Sequence, residues 1–225
     1  MKKIQCALSI GLLAAGVAQA VLVDLALPAA GNHASGSGFS TAASFNGATF
    51  DIEYTLNAFA TSNSPAPFIR SSGGTYFGVG SALDPNTGNQ ESIDGDDGEQ
   101  LSIAGLSIVN FSANGSGLVQ GDLSIAFQSL SIANGTAAND GITISFTGFG
   151  DATVDVTHPT TLDLTSLANF GSSSTALFLE PDGPQSNNRW SVSGISVSVI
   201  PEPATLGMVV ASAAGMLVIR RRFLI

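Results

Sequence analysis

The chain has 225 residues, a formal net charge of −10, one cysteine, two histidines and 26 glycines. Only seven residues are basic against seventeen acids, so the surface repels nucleic acid and anionic lipid, and a nucleic-acid role is excluded. With a single cysteine there is no disulfide framework and no thiolate metal cluster.

Lys2 and Lys3 precede an apolar stretch from Ile4 to Val17, followed by the small-residue site Ala18-Gln19-Ala20. This is the layout of a secretory signal peptide over residues 1–20, cleaved after Ala20. Cys6 lies inside it and leaves with it, so the mature chain is expected to lack cysteine. Residues 21–200 then form one extracytoplasmic domain of ordinary size. Within it only Arg70 and Arg189 oppose sixteen acids, a formal charge of −14.

The body is rich in Gly, Ser, Thr and Asn and reads as short strands. In Ala48–Ala60, Phe50, Ile52, Tyr54, Leu56 and Ala58 alternate with Asp51, Glu53, Thr55 and Asn57, which gives one buried and one wet face. Similar alternation marks Val21–Leu27, Leu106–Ala113, Leu123–Phe127, Ile142–Phe146, Thr153–Val156, Leu162–Leu164, Ala176–Leu179 and Trp190–Val199. Nine to eleven strands follow, and the fold class is all-β, an antiparallel β-sandwich. In the last strand the apolar parity switches at Gly194, which predicts a β-bulge there. Turns are expected at Asp84-Pro85-Asn86, Asn114-Gly115, Asn134-Gly135 and Asp182-Gly183-Pro184.

The densest chemistry is Glu91, Asp94, Asp96, Asp97 and Glu99, five carboxylates within nine residues interrupted by Gly95 and Gly98. Calcium takes such oxygen ligands, although Gly98 stands where an EF-hand has another side-chain ligand. A solvated turn between strands is the plainer reading, and calcium the alternative. Catalysis finds little support: His33 in a Gly/Ser loop and His158 beside Pro159 cannot make a three-histidine centre. There is no Gly-x-Ser-x-Gly elbow. Carboxylate pairs such as Asp51 with Glu53, or Asp151 with Asp155, suit glycoside hydrolysis in principle but are expected without function in so acidic a chain. The chain therefore reads as a non-enzyme. Trp190 and Tyr54 fall on inward positions, Tyr76 is undecided, and Phe39, Phe45 and Phe68 sit in apparent loops where packing or a sugar platform are both open. Sequons occur at Asn110, Asn114 and Asn134.

At the C-terminal end Pro201-Glu202-Pro203 is followed by an apolar run over 204–219 and by Arg220, Arg221 and Arg222. As a helix the run reaches roughly 24 Å, close to the ~30 Å hydrocarbon core once its interfacial ends are counted. Each arginine would cost roughly 2.5–3.5 kcal/mol at the bilayer centre, so the cluster stays cytoplasmic and everything before Pro201 faces out. Two prolines keep the motif extended and non-helical.

This tail, over residues 201–225, resembles the PEP-CTERM sorting signal of Gram-negative bacteria: motif 201–203, one transmembrane helix 204–219 and basic cluster 220–222. The resemblance implies an exosortase as partner, acting at or near the motif, a precursor held in the inner membrane, and a product at the cell surface or in the matrix with exopolysaccharide. The glycine-bounded strands and Tyr76-Phe77-Gly78-Val79-Gly80 are similar to the jelly-roll sandwiches frequent on such proteins. A jelly roll brings its first and last strands together, which here would set both chain ends at one pole. Two readings of the domain stay open: a structural matrix component, or a lectin-like carbohydrate-binding sandwich, with calcium as a conceivable cofactor.

Overall fold

The computed structural model describes residues 20–61, 66–81, 93–94, 98–133, 140–146, 152–156, 160–167, 176–181 and 189–202. They hold fourteen strands: β1 (Val21–Asp24), β2 (Gly31–Ala34), β3 (Ser37–Phe45), β4 (Ala48–Phe59), β5 (Phe68–Ser71), β6 (Phe77–Gly80), β7 (Ile93–Asp94), β8 (Gln100–Ser112), β9 (Leu123–Ala133), β10 (Asp140–Phe146), β11 (Ala152–Val156), β12 (Thr160–Asp163), β13 (Leu177–Pro181) and β14 (Arg189–Pro201). Two 3₁₀ turns, Gln120–Asp122 and Leu164–Ser166, complete the regular structure. Among the described residues no helix is long and apolar enough to cross a membrane. The 204–219 run lies outside them.

All strand pairs are antiparallel. One sheet runs β12-β9-β14-β6-β5-β2, with β1 and β7 also paired to β14; the other runs β11-β10-β13-β8-β4-β3. Their inward faces share one core. From the six-stranded sheet come Phe50, Ile52, Tyr54, Leu56, Leu101, Ile103, Ile142, Ile144, Leu177 and Leu179; from the eight-stranded sheet come Phe77, Val79, Phe127, Leu130, Ile132, Trp190, Val192, Ile195, Val197 and Val199. The protein is thus a β-sandwich. Each fully buried Val, Leu, Ile or Phe contributes about 1.5–3 kcal/mol against an exposed reference, and together these side chains hold the sheets face to face.

The expected bulge in β14 is present. Val192 pairs with Ile132 and Gly194 with Ser131, so Ser193 is the extra residue and the buried set moves from Trp190 and Val192 to Ile195, Val197 and Val199. A Cβ on Gly194 would lie 3.3 Å from Cβ and Oγ of Ser131, tight enough to favour glycine. A second irregularity between Ser196 and Val197 leaves Gln128 of β9 as the extra residue. The same device appears twice in β8, where Gly105 at φ 67° and Asn110 at φ 51° each add one residue opposite β4.

Several sequence expectations are corrected. Ser37–Phe45 is a nine-residue strand, so Phe39 and Phe45 lie in β3, Phe68 opens β5, and His33 sits in β2 opposite Ile69. The strand count exceeds the expected nine to eleven because these segments and β7 pair without a clear alternation of their own. Val21–Leu27 stops at Asp24, whereas Leu106–Ala113 and Leu123–Phe127 are the far and near parts of the longer β8 and β9. Asn114-Gly115 turns as expected, with both residues at positive φ and Ser116 donating from its N–H to the Ala113 carbonyl. The turns expected at 84–86, 134–135 and 182–184 lie outside the described residues.

The first and last strands are partners. Val21 pairs with Val199 and Asp24 with Ser196, so β1 begins where β14 ends, and the first and last described residues lie at one pole.

Candidate functional site

Among the described residues the outer face of the six-stranded sheet combines an open hollow, carboxylates and two half-exposed aromatic rings. On β4 the alternation buries the even residues and turns Asp51, Glu53, Thr55, Asn57 and Phe59 outward, as the sequence pattern requires. Across the sheet, Ser40 of β3 pairs with Glu53 and Gly38 with Thr55; on the other side Ser102 of β8 pairs with Asn57 and Gln100 with Phe59. Phe178 of β13 pairs with the far side of Ser102.

At one end of this face is an open hollow of about 320 Å³ lined by Gly38, Phe39, Ser40, Glu53, Tyr54, Thr55 and Gly105. Its origin is local. Gly38 and the bulged Gly105 flank Thr55 without side chains, and a Cβ on Gly38 would meet nothing within 4 Å. Glu53 and Ser40 stand exposed at its rim. At the other end Phe59 is 44% and Phe178 41% exposed. At this aromatic end Gln100, opposite Phe59, donates from Nε2 to Oε2 of Glu180 at 2.7 Å, while beyond the hollow Asn110 donates from Nδ2 to Oδ2 of Asp51 at 2.8 Å. The described cations, Arg70 and Arg189, belong to strands of the opposite sheet.

Of the aromatic residues considered from sequence, Phe39 and Tyr54 line the hollow but belong to inward positions, and the others fall elsewhere. Trp190 and Tyr54 are buried, the Tyr54 hydroxyl donating to the Ala26 carbonyl at 2.5 Å, and burial pushes its phenol above the usual range. Phe39 stacks on Tyr54 with ring centroids 5.6 Å apart, and His33 meets Phe39 edge-on at 5.4 Å while its Nε2 lies 2.8 Å from the Ala29 carbonyl. Phe45 is buried, and Phe68 and Tyr76 are half-buried. His158, Asp151 and the side chain of Asp155 lie outside the described residues. Sequence reasoning passed over Phe59 and Phe178, although both follow from alternation: Phe59 is the next odd position of β4, and Phe178 stands between buried Leu177 and Leu179.

Of the acidic loop, Asp94 and Glu99 are described; Glu91, Asp96 and Asp97 are not. Asp94 pairs with Arg189 through β7 and β14, and its Oδ2 lies 2.6 Å from Arg189 Nε. Glu99 is buried, accepting from the Asp94 N–H at 2.9 Å and donating its own N–H to the Asp94 carbonyl. Glu99 thus holds the Asp94 backbone, while the Asp94 carboxylate faces Arg189 of β14. No group of three or more His, Cys, Asp or Glu able to hold a metal occurs among the described residues.

At the pole where the ends meet, Pro201 is the last residue of β14, paired with Leu123, and the Glu202 N–H donates to the Asp122 carbonyl at 2.7 Å. The Glu202 side chain is exposed, and Ala20 is exposed immediately before β1. Ala18, Pro203, Arg220, Arg221 and Arg222 lie outside the described residues. No protein-family model, no curated protein and no solved structure matches the chain.

Proposed function

We infer that the chain is an exported protein, anchored in the inner membrane as a precursor by residues 204–219 and sorted to the cell surface or extracellular matrix by an exosortase. In this reading residues 1–20 are a signal peptide, 21–200 the sorted domain and 201–225 the PEP-CTERM signal. The domain is a jelly-roll-like structural component that accompanies exopolysaccharide and performs no catalysis. The observation that carries the reading is the order of the tail: an extended Pro-Glu-Pro, an apolar run and three arginines. A plain anchor needs the last two and not the first. The pairing of β1 with β14 supports it, because both membrane-directed segments then leave one pole with almost no linker.

The test is mass spectrometry of the surface protein from cells that own an exosortase. A C-terminus at or just after the motif is expected, and Pro201→Ala with Glu202→Ala should leave full-length protein in the membrane. An intact Ile225 terminus on the wild-type surface form would sink the processing claim.

A second reading, a carbohydrate-binding sandwich, is favoured by one observation: two half-exposed phenylalanines share a polar, hollowed sheet face.

A further inference from the structure

We propose that the outer face of the six-stranded sheet binds a polysaccharide bearing free amino groups, laid along β4 from the hollow at Glu53 to the aromatic pair. The proposal rests on the carbohydrate-binding reading and names its site and ligand class.

The dimensions suit an oligosaccharide. Outward residues on a strand recur about every 6.7 Å, so Glu53, Thr55, Asn57 and Phe59 mark a track about 20 Å long. The 320 Å³ hollow lies at the lower end of small-ligand pocket sizes, enough for a sugar unit and its substituents. Phe59 and Phe178 stand two strands apart, about 9.5 Å laterally, and flank β8. Folding buries somewhat more than half of each phenyl ring and leaves the remainder on a face built mainly of polar and acidic side chains, where the apolar face of a pyranose ring would cover it. Asn57 and Thr55 supply donors and acceptors between the two ends.

Charge selects the polymer. The face presents Asp51, Glu53 and Glu180, and its described residues include no lysine or arginine. An acidic polysaccharide meets like charge there and is disfavoured. An ammonium-bearing sugar meets Glu53 at the hollow, with Asp51 two residues away on β4 and Glu180 at the aromatic end, and the phenyl rings attract cations by their quadrupole.

The test uses the chain as exported and purified from culture, titrated calorimetrically with a glucosamine hexamer, an N-acetylglucosamine hexamer and an alginate oligomer. The glucosamine hexamer should bind saturably, more weakly as salt rises, and alginate should not bind. Phe59→Ala and Phe178→Ala, both at half-exposed positions, should each weaken binding roughly fivefold or more. Glu53→Gln should weaken the glucosamine hexamer, and Asp24→Asn on the opposite sheet should change nothing. Equal binding of the N-acetylated hexamer would overturn the amino-sugar assignment. Binding untouched by both phenylalanine substitutions would overturn the face while keeping the carbohydrate reading, and absence of binding by every polysaccharide in a wider panel would remove both.

Discussion

At the scale of single residues, polar groups that look functional in sequence are engaged in holding the fold. Tyr54 is the clearest case: its ring belongs to the core and its hydroxyl donates to the Ala26 carbonyl. Tyr54→Phe removes that bond and should cost about 1–2 kcal/mol in urea unfolding, without changing the outer face. Because burial raises the folded-state pKa, the unfolded chain releases this proton first, so the contribution is present below about pH 10 and is lost as pH rises beyond it. Stability measured at pH 8 and pH 11 should therefore fall less in Tyr54→Phe than in the wild type. Asp94 and Glu99 belong to the same pattern. Arg189 occupies Asp94, and the Asp94 N–H occupies Glu99. Arg189→Met should destabilise by about 1–3 kcal/mol, since the Asp94 carboxylate is only 12% exposed and would lose its cation. Melting midpoints in millimolar calcium and in chelator should agree, because two of the five carboxylates already have protein partners; a clear rise with calcium would reinstate a metal site.

The secondary-structure elements show which parts of the sandwich were legible in sequence and which were not. Strands with unbroken alternation, β4 above all, can be read directly, and the parity switch at Gly194 gives away the bulge in β14. Bulges elsewhere had the opposite effect. In β8 the inward residues are Leu101 and Ile103 before Gly105 but Leu106 and Ile108 after it; in β9 they are Leu123, Ile125 and Phe127 before Gln128 but Leu130 and Ile132 after it. Each change of parity ends the pattern early, so one long strand reads as a shorter one. β3 was hidden for another reason: Ser, Gly, Thr and Ala fill its outward and half-buried positions. Its signal was the Asn46-Gly47 pair, both at positive φ, which turns Phe45 into Ala48 as a tight hairpin. The candidate face was legible only in part, since alternation points Phe59 and Phe178 outward but their proximity depends on the registers of β4, β8 and β13. Element geometry also bears on processing. Pro201 pairs with Leu123 and the Glu202 N–H is held by Asp122, so the motif up to Glu202 is fastened to the domain. If the tail is processed as proposed, the mature C-terminus should therefore fall at Pro203 or just beyond it, and a terminus before Pro201 would mean that the enzyme first peels the end of β14.

The whole molecule combines a strongly acidic domain with chain ends that meet. Sixteen acids against two arginines leave long-range repulsion that the neutral core must outweigh, and salt should raise stability by screening it. If the chain is exported as proposed, the meeting of the domain's first and last strands lets it be threaded out from one membrane and remain beside it. The pairing requires that β1 wait for β14, the last strand in chain order, before it gains a partner, so on that route the sheet would close only after nearly the whole domain had crossed. This closure can be tested because the exported chain is expected to be free of cysteine. Leu22 of β1 is 65% exposed and lies directly opposite the buried Ser198 of β14. Opposed strand residues have Cβ atoms about 4.5–5.5 Å apart, and a disulfide needs about 3.5–4.5 Å, within reach of a small adjustment. The double substitution Leu22→Cys with Ser198→Cys should oxidise to an intramolecular disulfide in the exported protein. It should consume both thiols, quicken migration on a non-reducing gel, and stabilise the domain by roughly 4–5 kcal/mol for so long a loop, less any strain. Two free thiols in the folded, oxidised protein would show that the first and last strands do not pair, and with them would fall the single pole at which β1 begins and β14 ends.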